Sequence, residues 1–209
     1  MHFFAHATIR QKLMFLSLIA LLAVAIPSAL FTRDKAAVLA VTQRSASSEQ
    51  VFAELLQGLK ASQTSRGLAA GVLAGNQGMA TALKNQQNLA QQSFTAAVQA
   101  MRDTEAGPAL VSQLTQLQAG FTKLVDEVQA RSVSPAQSFT RHTALIGDLL
   151  ALIDLVMDDY GLSLEPNADL YFLMQGSLAH MPWLTEYLGQ MRGLGNGLLV
   201  SGVVTTTAA

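Results

Sequence analysis

The chain begins with one long hydrophobic stretch and continues as a series of periodic, amphipathic stretches. The first stretch, residues 13–31 (LMFLSLIALLAVAIPSALF), contains no charged residue. A helix needs about 20 apolar residues to cross the hydrocarbon core of a bilayer, so this run has the length of a membrane span. We therefore predict a short cytoplasmic tail over residues 1–12 and a transmembrane helix over residues 13–31.

A cleavable signal peptide is the competing interpretation of this segment. Arg10 and Lys12 precede the apolar run, and residues 23–25 (AVA) have the small side chains of a cleavage site. An anchor is favoured because the run continues to Phe31, because Pro27 makes a poor context after that site, and because helical periodicity resumes soon afterwards. Cleavage would give a soluble secreted bundle instead.

Behind the apolar segment, hydrophobic positions recur in alternating steps of three and four, the spacing of helices that pack along a seam. The pattern predicts helices over Val38 to Ala74, Met79 to Thr104, two further stretches, and about Asp169 to Leu199, where Pro182 would introduce a kink. The seams of the third and fourth helices are the clearest. They consist of Leu110, Leu114, Leu117, Phe121, Leu124 and Val128, and of Phe139, His142, Ile146, Leu149, Ile153, Val156 and Tyr160.

Short turn sequences separate these helices and predict an antiparallel arrangement. Residues 75–78 (GNQG) and 107–108 (GP) punctuate the pattern, and Ser134 to Gln137 combines an N-cap, a proline at the first helical position and a capping-box glutamine. Because short turns make consecutive helices neighbours, we predict an all-α fold, with the transmembrane helix continuing into an up-down antiparallel helical bundle over residues 32–165.

One motif occurs twice. Residues 66–73 (RGLAAGVL) and 192–199 (RGLGNGLL) share the pattern R-G-L-x-x-G-x-L, and each copy lies late in a long helical seam. An internal repeat of this kind indicates two stacked modules. We therefore interpret residues 166–209 as a long helix that leads into a truncated second module, which would make the bundle the first part of a bimodular one.

Composition excludes several classes of function. The net charge is −1 and only 13% of residues are charged, so nothing indicates a nucleic-acid partner. Cysteine is absent, and no Ser-His-Asp set, catalytic carboxylate pair, zinc pattern or phosphate-binding loop is recognisable. We therefore expect no enzymatic activity in this chain, no cofactor and no metal.

Residues 164–199 resemble a segment of the sensor regions of bacterial methyl-accepting chemotaxis proteins and some membrane histidine kinases. The matching positions are Leu164, Pro166, Asp169, Tyr171, Leu173, Met174, Pro182, Leu184, Leu188, Arg192, Leu194 and Gly195, whereas Glu165, Asn167, Leu170 and Phe172 depart from the common pattern. Residues 63–67 (QTSRG) are similar to a helix of nitrate-sensing and related periplasmic bundles. The resemblance implies a helical extracytoplasmic sensor region, usually dimeric, that precedes a second membrane helix, a HAMP linker and a signalling domain.

Arg66, Gly67 and Arg192 are the candidate ligand-binding residues. Arg66 interrupts an apolar seam, and a planar guanidinium can bond two oxygens of a small carboxylate or nitrate-like anion. Gly67 removes side-chain bulk beside it, and Arg192 would serve the equivalent place in the second module. The alternative is structural: Arg66 would then form an ion pair with a carboxylate such as Glu54, Asp126 or Glu127, or snorkel to solvent.

The predicted function is the sensor region of a bacterial chemotaxis or signal-transduction receptor, which detects a small extracytoplasmic ligand and transmits a helix displacement across the membrane. It would be a homodimer in the inner membrane, anchored in the lipid bilayer through residues 13–31, with its bulk periplasmic or extracellular. The alternative is a membrane-tethered coiled-coil anchor or scaffold that senses nothing.

Overall fold

The computed structural model describes residues 8–164 and 167–201. Helices and the turns that join them account for all of these residues, and no strand occurs among them. The predicted all-α class is therefore confirmed. The chain divides into two compact units, Met1–Gln43 and Arg44–Ala209.

Helix α1, Ile9–Ser47, forms the described part of the first unit and ends just beyond it. Its segment Ile9–Arg33 is long and apolar enough to cross a membrane, with a mean hydropathy of 2.5 and its large apolar side chains exposed. This candidate span includes the predicted one. The helix extends past Arg33, as the periodicity indicated, but it ends at Ser47 and the next helix begins at Glu49. The seam predicted as one helix is therefore divided at Ser48.

The second unit contains a four-helix bundle. Its helices are α2 (Glu49–Leu73), α3 (Ala80–Asp103), α4 (Pro108–Gln129) and α5 (Pro135–Asp159). Within this bundle consecutive helices pack against each other, and α5 closes the ring against α2. Short 3₁₀ turns lie at Gln77–Met79 and Leu162–Leu164. The third and fourth predicted helices, which the turn at Ser134 was expected to make neighbours, are α4 and α5, and they are in contact.

Local sequence signals set the ends of the bundle helices. At the start of α5, the backbone N–H of Gln137 donates to Ser134 Oγ (3.2 Å), and the N–H of Ser134 donates to Gln137 Oε1 (2.9 Å), which is the predicted capping box. Pro108 opens α4, where its missing N–H costs nothing. Gly75 takes a left-handed φ of 106° after α2, a conformation open to glycine.

The core of the bundle lies along the predicted seams. Phe94 and Phe121 meet edge to face across α3 and α4 with ring centroids 5.6 Å apart. A smaller apolar cluster closes the end of the bundle near the turn between α2 and α3. The largest fully buried apolar side chains are Tyr160, Leu55, Met101, Leu114, Leu124, Ile146, Leu150, Leu152, Ile153, Met157 and Leu162.

A final helical segment follows the bundle. It consists of α6 (Ala168–Met174), a π-helical stretch over Gln175–His180, and α7 (Met181–Ser201). Proline has no N–H and its ring clashes with the carbonyl four residues earlier, so the wider π stretch directly before Pro182 accommodates it within a continuous helical path. The sequence prediction of one helix with a distortion at Pro182 is thus correct in extent, and the distortion is a π stretch.

The segment packs against α2 and α5 along one side and leaves an apolar face uncovered. Among its described side chains, only Pro182 and Glu186 are buried. The large exposed apolar residues are Leu170, Phe172, Leu173, Met181, Leu184, Tyr187, Leu188, Met191 and Leu194.

Candidate functional site

Arg66 has a charged side chain that is buried where the bundle helices meet α7. It lies on α2, faces α5 and α7, and is 2% exposed. Its Nη1 donates to Thr143 Oγ1 (3.0 Å) on α5 and forms an ion pair with Glu186 on α7. In the described part of the chain Nη1 makes both contacts, which leaves the donors on Nε and Nη2 for other acceptors.

Glu186 is as deeply buried as Arg66, at 1% exposure. Besides the guanidinium, its carboxylate accepts from Gln63 Nε2 (3.1 Å) and from Gln190 Nε2 (2.7 Å). Two buried opposite charges are stable only when their remaining hydrogen-bonding capacity is satisfied, and the two glutamines supply this for the carboxylate. The result is a polar cluster of Gln63, Arg66, Thr143, Glu186 and Gln190.

Small residues of α7 let that helix approach the guanidinium. A Cβ added at Gly189 would lie 2.9 Å from Arg66 Nη2, and one at Gly193 would lie 2.5 Å from Cε2 of Phe139. The Phe139 ring is itself 5.1 Å from Arg66 Cζ, within the range of a cation–π contact. Gly189 and Gly193 thus allow α7 to pack closely, and Arg66 lies between the Glu186 carboxylate and the Phe139 ring.

The structure separates the three candidate residues. Arg66 is in the cluster, Gly67 is exposed with open space around it, and Arg192 is exposed on α7. The glycines that bring α7 close to Arg66 and Phe139 are instead Gly189 and Gly193. Glu54, Asp126 and Glu127, the carboxylates proposed as alternative partners of Arg66, do not fill that role in the described chain, since Glu186 does.

His142, one turn from Phe139 on α5, is buried beside this cluster. Its Nδ1 donates to the Ser138 carbonyl (2.8 Å), which places the proton of the neutral ring on Nδ1, and Nε2 has no hydrogen-bond partner among the described residues. Burial lowers the pKa of His142. The Ser138 bond opposes this shift, and the positive charges of Arg66 and Arg141 add to it. The imidazole is therefore held neutral.

A small cavity adjoins His142 inside the bundle. Its volume of about 10 Å³ corresponds to roughly one water molecule. It is lined by Ser62, Phe94, Leu117, Phe121, His142, Leu145, Ile146 and Leu149. The hydroxyl of Ser62 already donates to the Gly58 carbonyl (2.8 Å), so the cavity is too small and too apolar for an anion.

A family model described as "NIT: Nitrate and nitrite sensing" matches residues 59–209, which is more than half of the chain. The chain belongs to the nitrate- and nitrite-sensing family. Members of this family are extracytoplasmic sensor domains of bacterial signalling proteins, such as histidine kinases and chemotaxis receptors. No curated protein and no solved structure matches the chain.

The family assignment confirms the resemblance drawn from the sequence. The match begins within α2, ahead of Arg66, and includes every residue of the polar cluster. A sensor role in signal transduction follows from the family. Together with the candidate span at Ile9–Arg33, it indicates a membrane protein whose sensor domain lies outside the cytoplasm.

Glu186 is the residue of this NIT domain that sequence reasoning missed. It lies 120 positions from Arg66 along the chain, and no spacing rule connects two helices that are so far apart. The available signal was a glutamate within a segment otherwise rich in apolar residues, residues 181–195 (MPWLTEYLGQMRGLG). A carboxylate there requires a partner when it is buried, and Arg66 was the charge within an apolar seam for which other carboxylates had been considered.

Proposed function

We propose that this chain is the membrane-anchored sensor region of a bacterial receptor and that it binds a small oxyanion of the nitrate and nitrite class at Arg66. The observation that carries the proposal is the burial of this guanidinium, at 2% exposure, between α2, α5 and α7. A buried arginine requires an anionic partner, a place that the Glu186 carboxylate fills in this structure, and its planar fork suits the oxygens of a small planar anion equally well. The family description supplies the class of ligand.

The surroundings of Arg66 fit a small planar anion better than a large ligand. Thr143 offers a hydroxyl, Gln63 and Gln190 offer amide donors, and Phe139 closes one side of the guanidinium. Each of these groups contacts either Arg66 or the Glu186 carboxylate, so an anion of about the size of that carboxylate could take its place. Arg192, exposed on α7, would take part only in a second site, as the repeated motif suggests.

The remaining parts of the proposal concern the setting of this site. Residues 13–31 would anchor the chain in the inner membrane, the bulk would lie in the periplasm, and two copies would form a homodimer. The output would be a chemotaxis or kinase response, produced by domains outside this chain, and the chain itself would have no enzymatic activity. The apolar segment and the family assignment support this setting.

The test is calorimetric titration of the whole chain, reconstituted in lipid nanodiscs, with sodium nitrate against a sodium chloride reference. We expect saturable binding that weakens at least about tenfold in Arg66→Met, a loss of about 1.4 kcal/mol. Arg66→Lys keeps the charge without the fork and should also bind weakly. The matched control is Arg102→Met, which removes an exposed arginine of α3 and should bind as the wild type does.

Circular dichroism of each variant verifies that the helices are intact. Nitrate binding that is unchanged in Arg66→Met and Arg66→Lys would place the site elsewhere. If nitrate and nitrite both fail to bind the wild type while Arg66→Met only lowers stability, Arg66 is structural. The chain would then act as a tethered helical anchor.

A further inference from the structure

We propose that Glu186 is a built-in competitor of the anion: its carboxylate occupies the Arg66 guanidinium when no anion is bound, and anion binding displaces it and releases α7 from the bundle. This inference rests on the proposed function and adds its regulation. It follows from three features of the structure, namely the chemistry of the pair, the way α7 is held, and the π stretch that precedes α7.

The Glu186 carboxylate already has the bonding pattern expected of a bound oxyanion. It is planar, spreads one negative charge over two oxygens, and receives donors from Arg66, Gln63 and Gln190. Nitrate is likewise planar, with one negative charge spread over its oxygens, so the same donors suit both. The two anions cannot both lie against the same edge of one guanidinium in a buried site without strong mutual repulsion. An anion that takes the donors now used by Glu186 therefore competes with its carboxylate.

Few other contacts hold α7 on the bundle. Among its described side chains, Pro182 and Glu186 alone are buried, and one side of the helix exposes a row of large apolar residues. Trp183 Nε1 donates to Asp154 Oδ2 (3.3 Å) on α5, but Trp183 itself is only half-buried. Removing Glu186 from Arg66 would therefore take away the one fully buried charged contact that the described side chains of α7 make with the bundle.

The π stretch at Gln175–His180 gives α7 a place to pivot. The π stretch interrupts the regular hydrogen bonding of the α-helix, and Pro182 has no N–H to donate to the preceding turn. A helix that pivots there keeps its own backbone hydrogen bonds while its far end moves. Displacement of Glu186 thus becomes a rigid movement of α7, the kind of two-state helix shift that signalling proteins use.

The competition predicts that Glu186 lowers the apparent affinity for the anion. The anion binds only when Arg66 is released, so its apparent dissociation constant is raised by the scarcity of that state. Glu186→Gln keeps the size and hydrogen-bonding groups of the side chain but removes its charge. We therefore expect this variant to bind nitrate at least about tenfold more tightly than the wild type, as a released state populated at a tenth or less implies.

Trp183 reports the position of α7. It is the sole tryptophan in the chain, it stacks on Tyr187 with centroids 5.9 Å apart, and it touches Asp154 across the contact with α5. Undocking of α7 exposes the indole to water and moves its emission maximum to longer wavelength. The wavelength is the readout because nitrate absorbs ultraviolet light and quenches emission intensity by collision.

The experiment titrates the whole chain in nanodiscs with sodium nitrate at constant ionic strength and follows both calorimetric affinity and emission wavelength. Arg66→Met under the same nitrate gives the baseline for effects that do not require the site. Glu127→Gln is the matched control, because it removes a glutamate that pairs with Arg141 on a more exposed surface of the bundle. It should leave both readouts unchanged.

Three outcomes are distinguishable. Tighter binding by Glu186→Gln, together with a nitrate-free emission maximum equal to that of the nitrate-saturated wild type, supports the proposal. Binding that depends on Arg66 but is not tightened in Glu186→Gln, or that leaves the emission wavelength of the wild type unchanged, overturns the competitor and leaves the proposed function standing. Absence of Arg66-dependent binding overturns the proposed function and, with it, this inference.

Discussion

The bundle α2–α5 and the final segment α6–α7 show the same three-four spacing of apolar residues and use it in opposite ways. In α4, Leu114, Phe121 and Leu124 are all buried in the core. In α7, Leu184, Leu188 and Met191 follow the same spacing and are all about half exposed or more. A seam therefore identifies an apolar face without telling what covers it.

The two regions also differ in how they are held together. The bundle is stabilised by an extensive apolar core, whereas the described side chains of α7 include two buried ones, of which one is a charge paired with Arg66. Apolar burial is insensitive to small ions, but a charged contact can be exchanged for another anion. The bundle is thus suited to be the rigid part of the sensor, and α7 the part that responds.

The largest effect on the free energy of unfolding should be a difference between two leucine substitutions, one in the seam of α4 and one in the corresponding pattern of α7. Leu114→Ala empties a site that is 0% exposed and should lower the free energy of unfolding by about 3–5 kcal/mol. Leu188→Ala, at a position 55% exposed, should change it by less than about 0.5 kcal/mol. Chemical denaturation of the whole chain measures both. Equal losses would mean that α7 belongs to the core, and the comparison would fail.

A smaller loss of stability is expected when the Arg66–Glu186 ion pair, which links α7 to the bundle, is removed. Arg66→Met leaves the Glu186 carboxylate without its cation, which costs about 3–5 kcal/mol in a site that cannot relax and less in one that can. Because α7 can detach, we expect part of that cost to appear as faster amide hydrogen exchange in α7, with α4 as protected as in the wild type. Faster exchange throughout the bundle would show that Arg66 supports the core itself.

The smallest effect concerns His142 in the bundle. The pKa of His142 is lowered in the folded chain and is about 6.5 in the unfolded chain. As the pH falls, His142 of the unfolded chain therefore takes up a proton first. The stability contributed by the neutral ring is complete above that pH and is lost progressively below it. Between about pH 7.5 and about pH 5.5, the wild type should lose about 1 kcal/mol more than His142→Gln.

Thermal or chemical unfolding at the two pH values measures this difference. The same pH dependence in His142→Gln and in the wild type would show that other groups cause it. A steeper dependence in the variant would contradict the sign of the pKa shift.

How much of this fold could be predicted from sequence depends on the range of the interaction. The helices, the capping box at Ser134 and the contact between α4 and α5 all follow from periodicity, turn chemistry and short connections. The helix end at Ser47 was not predicted, since the three-four pattern continues through it. A π stretch ahead of Pro182 was foreseen only as a distortion, because proline specifies that the helix must adjust but not how.

For a related reason, Arg66 could be predicted from the sequence but the other residues that complete the site could not. Arg66 could be singled out because a charge within an apolar seam requires a partner, but its partner lies on a helix far along the chain. Gly189 and Gly193 could not be predicted for the same reason. A side chain at these positions would clash with Arg66 and Phe139, and only the packing of α7 against α2 and α5 brings those two residues near. Three-dimensional proximity, and not local pattern, defines the cluster.

The central claim is that the bundle stays rigid while α7 moves when the anion takes the place of Glu186. The chain contains no cysteine, so spin labels can be placed by single substitutions. One labelled pair, Gln116→Cys with Met191→Cys, spans the bundle and α7; a second, Gln116→Cys with Lys60→Cys, lies within the bundle, and all three positions are exposed. Dilution with unlabelled chain suppresses distances between copies.

Pulsed electron–electron double resonance then gives both distance distributions with and without saturating nitrate. We predict that nitrate shifts the Gln116–Met191 distribution and leaves the Gln116–Lys60 distribution unchanged, and that Glu186→Gln shows the shifted distribution without nitrate. Distributions that are identical with and without nitrate, in a chain shown by calorimetry to bind it, would contradict the claim.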